Sequence, residues 1–160
     1  MDAVKAVVIT VSDSRHAGQN PDQSGPAVAS LLRKAGYELA PVTIVPDERD
    51  QIGAAIKDAV VAGYALIVTT GGTGLGPRDV TPEATAAVLD FEVPGLAEAM
   101  RAAGLQKTPL AALSRAVAGV RGGSLIVNLP GSVRGATESL EAVLPALEHA
   151  VRLTRGETAH

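Results

Sequence analysis

The chain has 160 residues, a formal net charge of -3 and 46% hydrophobic residues, a length at which one domain can bury roughly 70% of the surface its unfolded chain exposes. With one Phe, two Tyr and no Trp it offers neither the stacking platform nor the basic field that nucleic-acid binding needs. Its lack of Cys excludes disulfides, thiolate metal sites and a cysteine nucleophile.

Residues 6–11 form a short β-branched apolar run ended by Ser12, Asp13 and Ser14, the pattern of a strand buried on both faces. After a polar loop through Asn20, Pro21 and Asp22, residues Val28, Leu31, Leu32 and Ala35 recur at helical spacing before Gly36. A second strand is predicted over 41–45 and a second helix on Ile52, Ala55, Ile56, Ala59 and Val60, stopping before Gly63. Residues 65–69 read as a third buried strand. A glycine-rich stretch over 71–76 follows, then a helix for which Thr81 is the expected cap and Pro82 the first position. Leu96, Met100 and Ala103 suggest a further helix, residues 116–120 an extra strand and residues 125–129 a last clear strand. In the tail, Leu140, Val143, Leu144, Leu147 and Val151 keep helical spacing, but Pro145 removes a backbone donor, which predicts two helices meeting near Leu144.

Strands alternating with amphipathic helices predict a single α/β domain over 1–160, a three-layer α/β/α arrangement around a mostly parallel sheet. Ligands gather at the carboxyl ends of such strands. Four polar or glycine-rich segments follow strands, at 12–14, 46–47, 70–79 and 128–131, so four loops are expected to meet on one rim. The start lacks a charged leader with an apolar stretch and no window reaches bilayer length, so the expectation is a cytoplasmic protein without membrane association.

The most informative stretch is Thr70, Gly71, Gly72, Thr73 and Gly74, with Arg78 and Asp79 downstream. Glycines let a backbone approach an anion closely, Thr73 adds a hydroxyl, and the helix that follows would favour a phosphate. The plainer alternative is a tight strand-to-helix turn in which glycines serve only geometry. No G-x-G-x-x-G follows the first strand and no Walker lysine follows the third, so neither a dinucleotide-binding fingerprint nor a P-loop fits. His16, His149 and His160 have no spacing that suits zinc.

Residues 70–79 with Val80, Thr81, Pro82 and Glu83 resemble the signature of the molybdenum-cofactor biosynthesis proteins of Mog and MoaB type and of the gephyrin G domain. The likeness extends to residues 11–14, to Asp22, Ser24 and Gly25, to Pro46 and Asp47, to Ser114 and Arg115, and to residues 128–131, nearly the whole chain. It implies transfer of AMP from ATP to the terminal phosphate of molybdopterin, with Mg²⁺ and release of pyrophosphate. It assigns Asp47 and Asp79 to metal and phosphate positioning. Ser12, Asp13, Gly71, Gly72, Thr73, Gly74, Ser114, Arg115, Asn128, Pro130 and Gly131 become the candidate substrate and nucleotide contacts. On the residues alone, Asp47 also stands where a cap of the second helix belongs, Asp79 where it would offset the dipole of the next, Ser12 and Asp13 where a turn starts, and Pro130 with Gly131 where one is shaped. The resemblance further implies a homotrimer and hand-over to a molybdate-inserting enzyme. A MoaB-type binder without the principal catalytic role, and a trimeric scaffold module, are the competing readings.

Overall fold

In the computed structural model, which describes residues 3–157, strand β1 (Lys5–Val11) alternates its side chains between two separate cores. Ala6 and Val8 join one, Val7, Ile9 and Val11 the other. Strands β4 (Leu66–Thr70) and β7 (Ser124–Leu129) divide in the same way, with Leu66, Val68, Leu125, Val127 and Leu129 on one face and Ile67 and Ile126 on the other. A period of two with apolar residues at both phases is what a sheet covered on both faces demands.

Helices α2 (Ser24–Lys34), α5 (Pro94–Leu105) and α6 (Val133–Thr154) cover the first face through Val28, Leu32, Leu96, Met100, Leu140 and Leu147. Helix α3 (Arg49–Val61) and the short α4 (Thr81–Ala86) cover the second through Ile52, Ile56 and Ala84. The three layers and the mostly parallel sheet expected from the pattern are present.

Strands β2 (Glu38–Leu39) and β3 (Thr43–Val45) both pair with β1, and the sheet continues through β4, β7, β6 (Ala118–Arg121) and β5 (Phe91–Glu92). Pairing is parallel from β2 and β3 to β7 and antiparallel beyond. Helix α2 leaves β1 on one face and α3 reaches β4 on the other. The crevice of such a sheet therefore falls at the carboxyl ends of β1 and β4.

Two expectations change. The strand predicted over 41–45 starts at Thr43, because Ala6 pairs with Leu39 but Ile9 with Thr43. The edge strand thus carries one extra residue, and the bulge holds Pro41, which has no N–H for the ladder. The tail is a single 22-residue helix, not two. Pro145 lies on its solvent face, while Leu140, Val143, Leu147 and Val151 bury a stripe that runs past it. Burial on both sides holds the axis together despite the missing hydrogen bond.

Among the described residues no helix is long and apolar enough to cross a membrane. His149 is exposed on α6, as expected, and His160 lies outside the described residues.

Candidate functional site

The four strand-end loops meet. Where β1 stops, Ser12 caps the four-residue helix α1 (Asp13–His16), its Oγ accepting from the Arg15 N–H at 3.3 Å. Its own N–H donates to the Val45 carbonyl at 2.9 Å, which ties the ends of β1 and β3 together. Asp13 and Asp47 then clasp each other: the Asp13 N–H donates to Asp47 Oδ2 and the Asp47 N–H to Asp13 Oδ1, both at 2.9 Å. Asp47 is therefore not the cap of α3. That position belongs to Glu48, without a side-chain cap bond.

Arg78 closes the outer side. Its Nε donates to Asp13 Oδ2 at 3.0 Å and its Nη2 to Glu48 Oε1 at 2.8 Å. The guanidinium holds the Asp13 carboxyl below its ordinary range, chiefly through this hydrogen bond. Asp47 moves the other way, because burial disfavours its charged form and the nearby Asp13 and Asp79 charges add to the effect.

After β4 the backbone turns through Gly71 (φ +99°) and Gly72 (φ +69°). The Gly71 N–H donates to the Leu129 carbonyl at 3.0 Å. A side chain there would strike the Val11 carbonyl, so only glycine fits between the ends of β1 and β7. Among the described residues the next three amides, those of Gly72, Thr73 and Gly74, donate to no protein group. Consecutive free N–H groups on a left-handed turn form an anion-binding concavity. Asp79 braces the far side of the turn by accepting from the Gly76 N–H at 2.9 Å.

A cleft of about 500 Å³ opens on this turn and is lined by Gly72, Thr73, Gly74, Asp79, Ser114, Pro130 and Gly131 of the expected set. Met100, Leu110, Ala111 and Leu113 add an apolar stretch of wall, with Arg101, Lys107 and Thr108 among them. The start of α6 also faces it through Ser132 and Gly135; Ser132 Oγ caps the helix by accepting from the Gly135 N–H at 3.0 Å. Sequence reasoning missed this helix start and the apolar wall. Ser132 directly after Gly131 was the available signal, whereas Leu110 and Leu113 have no periodic partner to mark them.

The remaining expected residues do not line the cleft. Asp47 stands against Gly72, with Oδ1 3.1 Å from where a Cβ on that glycine would lie. Asp13 and Ser12 hold Asp47 and its loop. Arg115 is a brace: Nε donates to the Gly74 carbonyl at 2.8 Å, Nη2 to the Asp79 carbonyl at 2.7 Å and Nη1 to Glu83 at 2.5 Å. That pairing also holds the Glu83 carboxyl below its ordinary range. Asn128 is fully buried, donating to Thr69 and Thr85 hydroxyls at 3.0 Å and accepting from the Val117 N–H at 3.2 Å. With donors and acceptor all engaged beneath the floor, its amide has no edge to offer a ligand. Thr81 does not cap α4 but is its first residue, with a buried hydroxyl that makes no hydrogen bond among the described residues.

No three acidic, histidine or cysteine side chains among the described residues are close enough to hold a metal by themselves. Two carboxylates beside a nest of amides suit instead a hard cation that arrives with phosphate oxygens and keeps part of its water.

Residues 7–149 match the family described as "Probable molybdopterin binding domain". The chain is 43% identical to a molybdopterin adenylyltransferase from Helicobacter pylori over 98% of this chain and 90% of that one. It is 44% identical to a molybdenum cofactor biosynthesis bifunctional protein from Synechococcus elongatus over 96% of this chain and 48% of that protein, so it spans about half the length of the first curated relatives it matches. Among solved structures, the molybdopterin biosynthesis enzyme MoaB from Thermus thermophilus superposes with a TM-score of 0.90 at 53% identity, covering 96% of this chain and 97% of the other. The Mog protein from Mycobacterium ulcerans gives 0.90 at 43%, covering 98% and 99%.

Proposed function

This chain belongs to the molybdopterin-binding domain family of molybdenum cofactor biosynthesis, and from that premise we propose that it is a molybdopterin adenylyltransferase. A terminal phosphate oxygen of molybdopterin attacks the α-phosphorus of ATP. A new P–O bond forms, the bond from the α-phosphorus to the β-bridging oxygen breaks, and pyrophosphate leaves.

The observation that carries the reading is the nest of unpartnered amides at Gly72, Thr73 and Gly74, bordered by Asp47 and Asp79. Both reactants are polyanions, so fixed donors that need no reorganisation lower the barrier most. The three amides and the Thr73 hydroxyl receive phosphate oxygens. Asp47 and Asp79 would hold Mg²⁺, which when bound with the nucleotide offsets the charge gathering on the phosphates. Arg115 holds the turn through the Gly74 and Asp79 carbonyls, and Arg78 holds Asp13, which in turn clasps Asp47. The apolar side chains of Met100, Leu110 and Leu113 give the flat ring of one substrate a surface to pack on. The same reading makes the protein a cytoplasmic homotrimer that hands its product to a molybdate-inserting enzyme.

The test is incubation with molybdopterin, ATP and Mg²⁺, following pyrophosphate release. Asp47→Ala and Asp79→Ala should each lower the rate by at least about 100-fold, since loss of an electrostatic stabiliser of the transition state costs of that order. Wild-type protein that binds Mg·ATP yet forms no product would instead support the binding role without catalysis.

A further inference from the structure

Among the described residues only two buried side-chain polar atoms lack a hydrogen-bond partner, the Tyr37 phenol and the Thr81 hydroxyl. Thr81 is fully buried at the first position of α4, beside the glycine turn. Its own N–H donates to the Gly72 carbonyl at 3.1 Å, so the residue is anchored to that turn. Valine has the same shape and would fill this space without burying a polar atom. The hydroxyl therefore calls for an engagement that the free molecule does not display.

Its neighbours indicate which. A Cβ on Gly72 would strike Thr81 Oγ1 and come within 3.1 Å of Asp47 Oδ1, so both oxygens border the same side of one glycine. Asp47 Oδ2 is engaged by the Asp13 N–H, whereas Oδ1 accepts no hydrogen bond among the described residues. A carboxylate only accepts and a hydroxyl can donate, which sets the direction of any bond between them. We propose that Thr81 is a positioning residue of the nucleotide site: when Mg·ATP occupies the turn, its hydroxyl donates to Asp47 Oδ1 and holds that carboxylate toward the phosphates. The identity of the ligand rests on the adenylylation reading, while the unpartnered hydroxyl and its neighbours do not.

The variants Thr81→Val and Thr81→Ser separate this role from a structural one. Thermal unfolding of the free protein and calorimetric titration with Mg·ATP would be measured for each, alone and combined with Asp47→Asn. Thr81→Val should melt no lower than wild type, yet bind Mg·ATP about 10-fold more weakly, at the lower end of what loss of a residue orienting a ligand carboxylate costs. Thr81→Ser should restore the affinity. In the Asp47→Asn background the valine change should have almost no further effect, because the two residues act as one unit. Wild-type affinity in Thr81→Val, a lower melting temperature in the free valine variant, or full additivity with Asp47→Asn would overturn the proposal. Wild-type protein that binds no Mg·ATP would overturn the adenylylation reading along with it.

Discussion

At the scale of single residues, Asp47 shows how a site can oppose stability. Burial raises its carboxyl above the ordinary value, so its contribution to folding is fullest below the unfolded carboxylate pKa and declines as pH rises through the folded one. At neutral pH the ionised group is a standing cost. Asp47→Asn keeps an oxygen that can accept from the Asp13 N–H, and removes the charge. The expected outcome is a melting temperature at pH 7 equal to or above wild type, with Mg·ATP binding weakened by roughly 100-fold, the upper end of losses seen when a metal site is disturbed. Differential scanning fluorimetry and calorimetry on the same samples check both halves. Asp13 behaves oppositely. Held low by Arg78, it stabilises the fold above the ordinary carboxylate range, and that support is lost as pH falls through its folded value.

At the scale of elements, the glycine turn and α6 make contrasting cases of local sequence and tertiary demand. Gly71 sits at φ +99°, where an added Cβ would strike the Val11 carbonyl. Alanine there incurs at least about 1–2 kcal/mol for the left-handed backbone alone, and the steric conflict with β1 adds to it. Gly71→Ala should therefore lower the unfolding free energy measured in urea by that much or more, and splay the amides that face the cleft. Pro145 is the reverse, a residue whose local preference the fold overrides. It leaves the Glu141 carbonyl without an intrahelical donor on a solvent-facing surface. Proline in a helix interior costs about 3 kcal/mol relative to alanine, and part of that is already relieved where water reaches the carbonyl. Pro145→Ala should raise stability by roughly 1–3 kcal/mol in equilibrium denaturation, without altering the cleft at the start of the helix.

At the scale of the whole molecule, the arrangement of layers explains why the chemistry lies where it does. The carboxyl ends of β1, β3, β4 and β7 deliver Asp13, Asp47, the glycine turn and Gly131 to one rim. Beneath them, Asn128 links β7 to Thr69 of β4 and Thr85 of α4. That network ties the two central strands and α4 together beneath the rim. The proposed homotrimer belongs to this scale too. Light scattering on the purified protein should return a mass near three times the 16.2 kDa chain, and elution at the monomer mass would refute it.

What the chain determined by itself is the set of elements and the chemistry they carry. β-branched runs marked β1, β4 and β7, helical spacing marked α2, α3 and α6, and glycine with aspartate marked the rim, because these signals depend on neighbours in sequence. Tertiary structure alone decided the rest. The bulge at Pro41 follows from pairing with β1, and the unbroken α6 from burial on both sides of Pro145. Asp47, Asn128 and Arg115 took their roles from partners distant in sequence: Asp47 clasps Asp13, Asn128 braces strands, and Arg115 spans the turn. The Thr81 hydroxyl was legible only as a cap until the sheet brought Gly72 and Asp47 beside it. A side chain's function depends on which hydrogen-bonding groups lie within about 3 Å of it, and periodicity along a chain contains no distances between elements.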